Sequence, residues 1–177
     1  MVDRNPAVTK IHAHLEEQYV LFPASATQTE RLQITNRTHS PLMDYFARPS
    51  HECFDLTILD YCEQYTVTPP KKGAPPWIVS PPGKYLDSYN NIVSKRRDNS
   101  IHVCRIVFQS AAVGDLFYLR FLLHRIPGRS FQDMRTVPCP NNGQLIHPTF
   151  HDAARARGLI TGDEEYICVW KKRPTFK

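Results

Sequence analysis

Three proline pairs, Pro69-Pro70, Pro75-Pro76 and Pro81-Pro82, crowd the stretch between Thr66 and Pro82. Each proline removes a backbone donor, fixes its own φ and pushes the residue before it out of the helical region. A helix or a central strand is therefore excluded over Thr66 to Pro82. The stretch reads as an extended, exposed connector carrying Lys71-Lys72-Gly73, in which Trp77 and Ile78 can dock. Secondary structure must be sought on either side of it.

On the N-terminal side, Ala7 to Phe22 alternates apolar and polar residues about Glu16-Glu17 and predicts a β-hairpin, though without an Asn-Gly or Asp-Gly turn. A short helix is expected over Thr27 to Leu32. Ser40 before Pro41 is a strong helix start, with Leu42, Met43, Tyr45 and Phe46 as its apolar face. A further helix is expected over Phe54 to Tyr65, with Cys53, Leu56, Leu59 and Cys62 inward.

After the prolines, Lys84 to Asp98, KYLDSYNNIVSKRRD, reads as a basic helix. Ser100 to Gln109, SIHVCRIVFQ, is rich in β-formers and breaks strict alternation, which predicts a buried central strand. Asp115 opens the strongest helix, with Leu116, Leu119, Leu122 and Leu123 at helical spacing, stopped by Pro127-Gly128. Ser130 caps a helix over SFQDMRTV, with Asp133 placed to reach back to the cap. Thr149 caps another, closed by Gly158, and Gly162-Asp163 starts a last one, DEEYICVWKK. The expected fold class is α+β, a small mainly antiparallel sheet with packed helices and a proline-rich connector. The expected division is residues 1–68, an N-terminal hairpin plus helices; 69–99, connector and basic helix; and 100–177, a strand plus a helical segment that packs with 1–68.

Composition narrows the class. Apolar residues make up 41% of 177, which is ordinary for a folded protein. Lys and Arg outnumber Asp and Glu by 22 to 17, a balance compatible with a polyanionic partner. The five cysteines include no CxxC pair, so a zinc knuckle is not expected, and they read as small buried apolar groups. No apolar run reaches the roughly 20 residues that span a bilayer, and MVDRNPAVTK lacks the apolar core of a secretory signal. The expected location is nuclear or cytoplasmic, with no membrane partner.

From Asp115 to Tyr166 the chain reads Phe117-Tyr118-Leu119-Arg120 with Leu122-Leu123, then Pro127-Gly128 with Ser130-Phe131 and Met134-Arg135-Thr136-Val137. Thr149-Phe150, Ala153, Gly158-Leu159 and Asp163-Glu164-Glu165-Tyr166 follow. In order and spacing this resembles the segment of Helitron transposases, rolling-circle transposase–helicase proteins of mobile elements, that lies between nuclease and helicase. Val8 to Phe22 and Leu42 to Phe46 are similar to the start of the same region. Gly114-Asp115 stands where the family has Gly-Glu, Pro138 to His147 replaces a shorter turn, and the connector and Lys84 to Asp98 look like additions. The resemblance implies a non-catalytic linker or accessory module with single-stranded DNA and the nuclease and helicase domains as partners. In that family an ATP-binding loop follows the matched segment. The phosphate-gripping GxxxxGK[ST] pattern is absent from this chain, so ATP hydrolysis by it alone is not expected and no cofactor is predicted.

Two sets of candidate site residues follow. Lys71, Lys72, Trp77, Lys84, Lys95, Arg96, Arg97, Lys171, Lys172 and Arg173 are the candidate nucleic-acid contacts, with Arg155 and Arg157 as further basic positions and Tyr85 and Trp170 for stacking. Arg120, Arg125 and Arg135 are expected to pair internally with Asp115, Asp133 or Glu164. The alternative is a rolling-circle tyrosine nuclease: His12 and His14 flank one residue on a predicted strand and would hold a metal, while Tyr85 and Tyr89, four apart on a predicted helix, would attack phosphorus. A third reading is a protein-interaction scaffold without nucleic-acid affinity.

Overall fold

The computed structural model describes residues 7–16, 23–31, 40–50, 53, 55–69, 80, 82–96, 102–139 and 143–160. The chain is α+β, with short helices packed around three small sheets, two of them antiparallel. Strand β1 is Ala7–Ile11, and residues 28–31 form helical turn α1. Thr27 and Glu30 cap that turn reciprocally: the Thr27 N–H donates to Oε2 of Glu30 at 2.8 Å, and the Glu30 N–H donates to Oγ1 of Thr27 at 3.3 Å.

Helix α2, Pro41–Phe46, starts as its sequence requires, with the Met43 N–H donating to Oγ of Ser40 at 3.2 Å. Helix α3 is Ile58–Gln64, later than its expected start because Thr57 supplies the cap. Ile58 and Tyr61 are fully buried on its inner face. The chain then turns directly into β2, Tyr65–Thr68, so the extended connector begins after a strand that its first residues belong to. The proline-free run YTVT leaves every donor of that strand intact.

The described part of the expected Lys84 to Asp98 helix, residues 84–96, is not helical. It forms the hairpin β3, Lys84–Leu86, and β4, Ile92–Lys95, with β4 central between β2 and β3. Turn chemistry decides this. Oδ1 of Asp87 accepts the N–H groups of Tyr89 at 2.9 Å and Asn91 at 2.8 Å, and Oδ2 accepts Nδ2 of Asn91 at 2.8 Å. Asn90 takes φ +63°, a left-handed conformation that asparagine tolerates better than most residues. Both Asp87 and Asn91 are buried, so this turn is a structured corner of the fold.

Strand β5, His102–Ile106, pairs in parallel with β1, from Ala7 opposite His102 to Ile11 opposite Ile106. The first strand of the expected N-terminal hairpin thus has a long-range partner along one edge; the return strand falls outside the described residues. Beyond Ile11 the ladder gains one more bond, from the Val107 N–H to the Ile11 carbonyl at 2.8 Å. The strand is not buried on both faces as its composition predicts: Cys104 and Ile106 point inward while Val103 is 40% exposed. Alternation was hidden because cysteine is the inward apolar residue and valine the outward one.

A 3-10 turn, Ala111–Val113, leads into α4, Asp115–Leu123, whose Leu119, Leu122 and Leu123 are fully buried. Helix α5 is Phe131–Arg135, shorter than predicted because Thr136–Pro138 leaves it as β6 and pairs with β7, Gln144–Ile146. Asp133 reaches back as expected, but its Oδ2 takes the N–H of Arg129, one residue before the cap, at 2.9 Å. Thr149 caps α6, Phe150–Ala156, and Gly158 closes it at φ +66°. The predicted helix after Gly162 lies outside the described residues. A single apolar cluster joins Ile11, Leu42, Tyr61, Val93, Leu119, Met134 and Ala153, so segments before and after the prolines share one core.

The cysteines divide. Cys53 and Cys104 are buried, Cys62 is half-buried, and Cys139 is exposed. Burial pushes the Cys62 thiol up to about 12, keeping it protonated.

His124, at the C-terminal end of α4, gives the fold a pH dependence. Its Nε2 is buried without a hydrogen-bond partner among the described residues. Burial lowers its pKa, and the Arg120 and Arg125 cations push the same way. A helix C-terminus favours imidazolium by only about 0.3–1 kcal/mol, and here it is outweighed. The unfolded chain therefore takes this proton first, so stability is complete above about pH 6.5 and declines as pH falls below it. Thermal unfolding at pH 5 is expected at a lower temperature than at pH 7, and His124→Gln is expected to narrow that gap. An unchanged gap in the variant would assign the acid sensitivity elsewhere.

Candidate anion-binding cleft

The second residue after α2 anchors the site. Arg48 follows the C-cap Ala47, precedes Pro49 and is completely buried. Its guanidinium lies over the Tyr45 ring, 4.0 Å from the centroid. Nε donates to the Cys53 carbonyl at 2.8 Å; Nη1 donates to the carbonyls of Tyr45 at 2.9 Å and Gly128 at 2.6 Å. Tyr45 Oη donates to the Leu56 carbonyl at 2.9 Å and accepts the Gly128 N–H at 3.3 Å. Gly128 is thus held at both its backbone polar groups. A Cβ on it would come within 2.8 Å of Met134 Cε, so a larger residue there requires the methionine to shift.

Fixing Gly128 fixes the next residue. Arg129 turns back and donates through Nη2 to the Arg48 carbonyl. From the opposite wall Arg157, just past α6, donates through Nη2 to the Thr136 carbonyl. These three arginines line one cleft of about 470 Å³, together with Gln132, Asp133 and Gln144. Nε of Arg157 is buried and has no hydrogen-bond partner among the described residues. Burial lowers the Arg48 pKa, and the neighbouring Arg129 cation adds to that; burial alone lowers Arg157. The Arg129 cation beside Arg48 carries an electrostatic cost, which an anion would relieve.

The predicted metal and nucleophile residues take other roles. Strand β1 ends at Ile11, so His12 and His14 lie beyond it, on either side of buried Ala13. His12 is exposed. In His14, Nδ1 donates to the Leu15 carbonyl at 3.0 Å, which leaves Nε2 to accept the Ser40 hydroxyl at 2.6 Å. That ring steadies the cap of α2 and packs edge-on against Phe131 at 5.9 Å. Among the described residues no three His, Cys, Asp or Glu side chains gather at metal-holding distance. The helical spacing of Tyr85 and Tyr89 does not exist: Tyr85 is half-buried in β3, and Tyr89 is exposed in the turn that follows.

Of the predicted nucleic-acid contacts, Lys84 and Lys95 are exposed on β3 and β4. Arg96 is half-buried and donates from Nε to the Cys62 carbonyl at 3.3 Å. None of these three lines the arginine cleft. Lys71, Lys72, Trp77, Arg97, Trp170, Lys171, Lys172 and Arg173 lie outside the described residues. The internal arginine pairings also differ from expectation. Arg135 meets Glu16 at 3.2 Å, Arg125 covers the Phe121 ring at 3.8 Å, and Arg120 lies 5.5 Å from the Phe108 centroid. Asp115 instead accepts the His151 N–H at 3.0 Å.

Sequence reading marked Arg157 but passed over Arg48 and Arg129. The available signal was an arginine wedged between the LMDYFA run and a proline. Fold and site together define an α+β protein with a recessed arginine cleft. Searches of family models, characterised proteins and solved structures return no match.

Proposed function

We propose that this chain is a non-catalytic accessory module that contacts single-stranded DNA, of the kind that joins nuclease to helicase in Helitron transposases. The observation that carries this reading is the cleft itself. Two half-buried arginines, Arg129 and Arg157, line it with the fully buried Arg48 behind them, and both come from the segment that carries the Helitron resemblance. Phosphate contacts by arginine are charge-assisted and geometrically defined, and they need no reactive group. Lys84 and Lys95 add exposed positive charge elsewhere on the molecule.

The test is incubation of the chain with a labelled, end-phosphorylated single strand and manganese, followed by anisotropy and denaturing electrophoresis. Binding should weaken steeply with salt and leave no covalent protein–DNA band. Arg157→Glu is expected to weaken it about tenfold and to lower the salt slope by about one. A covalent band lost in Tyr85→Phe or Tyr89→Phe would replace this reading with the nuclease. Absence of both binding and band would favour a scaffold with a protein partner.

A further inference from the structure

We infer that the arginine cleft takes a phosphate monoester, the phosphorylated end of a strand, in preference to a diester midway along one. The inference rests on the DNA-contact reading above. Charge is the first reason. Among the described lining residues two half-buried arginines, Arg129 and Arg157, with the fully buried Arg48 behind them, stand against one carboxylate, Asp133, whose Oδ2 is already engaged by the Arg129 N–H. A monoester carries about −1.5 to −2 at neutral pH, whereas each diester linkage carries one negative charge. The more highly charged group matches this surplus better.

Shape is the second reason. About 470 Å³ falls in the range of roughly 300–1,000 Å³ typical of small-ligand clefts, enough for one nucleotide. A groove that tracks a strand needs basic groups spaced along its length. Here Lys84, Lys95 and Arg96 stand on or beside the β2–β4–β3 sheet and do not extend the cleft.

The third reason is donor chemistry. Arg157 is half-buried and gives Nη2 to the Thr136 carbonyl, which leaves Nη1 of the same guanidinium without a partner among the described residues and able to donate to an oxyanion. Gln132 and Gln144 offer neutral amides beside the cations, suited to a sugar or base edge attached to that phosphate.

The experiment compares four forms of one internally labelled sequence with the full chain: 5′-phosphorylated, 3′-phosphorylated, hydroxyl-ended, and closed into a circle. One phosphorylated form should bind roughly ten- to hundredfold more tightly than the hydroxyl-ended strand and the circle. Inorganic phosphate should erase that advantage, and Arg157→Gln should bring the ratio close to one. Equal affinity for all four forms overturns the monoester assignment and leaves the DNA-contact reading standing. If no form binds, the DNA-contact reading fails, and calorimetric titration with thymidine 5′-monophosphate decides the assignment alone. Binding that Arg157→Gln removes upholds it; no binding, or binding indifferent to that change, overturns it. The comparison of ends needs only the unaltered chain, so misfolding of a variant does not shelter the idea.

Discussion

Arg48→Met is expected to lower the stability of the chain by about 3–5 kcal/mol, the usual consequence of breaking a buried charged network. Methionine has comparable length and fills much of the space, so the loss is not chiefly a cavity. It comes from the carbonyls of Cys53, Tyr45 and Gly128, which lose a charged donor inside the protein. The cation–π contact with Tyr45 goes too. Equilibrium denaturation should show the shift in midpoint, and a thermal scan should place unfolding roughly 10 °C lower. Arg48→Lys should recover little, because one ammonium on a flexible stem cannot reproduce a planar fork serving three acceptors. A variant as stable as the parent would mean that the three carbonyls find other donors, and the arginine would then be dispensable to the frame.

The same substitution should also be felt at the cleft. Gly128 is positioned by Arg48 and Tyr45, and Arg129 is positioned by Gly128 and by its bond to the Arg48 carbonyl. Loss of the floor therefore loosens the wall. End preference in the DNA comparison should weaken in Arg48→Met even at temperatures where the variant remains folded.

Asp87→Ala is expected to cost about 3 kcal/mol. Its carboxylate accepts two backbone N–H groups and the Asn91 amide, and Asn91 is itself buried. Alanine leaves those donors stranded at a corner that water reaches poorly. Hydrogen exchange should rise first at Ile92 to Lys95, the strand that this turn feeds. Asp87→Asn, which keeps one acceptor oxygen, should lose less. If protection over β4 is unchanged in Asp87→Ala, the sheet and not the turn sets the hairpin.

Legibility of the chain followed how local its causes were. The starts of α2, α5 and α6 were readable because Ser40, Ser130 and Thr149 act on donors three residues away. The inner face of α4 was readable because its leucines repeat at helical spacing. The β3–β4 hairpin was misread as a helix because Tyr85, Leu86, Tyr89, Ile92 and Val93 also fit a 3.6-residue period. Five polar-rich positions from Asp87 to Asn91 carried the opposing signal, and turn chemistry prevailed. The pairing of β1 with β5 left no local trace, since its register depends on contacts far along the chain. Arg48 was the hardest to read. Burial of a cation depends on carbonyls from Cys53 and Gly128, one of them on the far side of the connector.

The β1–β5 pairing also sets an order of assembly during synthesis. Residues 7–11 leave the ribosome long before residues 102–106 exist, so the first strand must wait with its edge uncovered while most of the chain is made. Until β5 is made, β1 is vulnerable to mispairing, and a chaperone that binds extended peptides would find a target there.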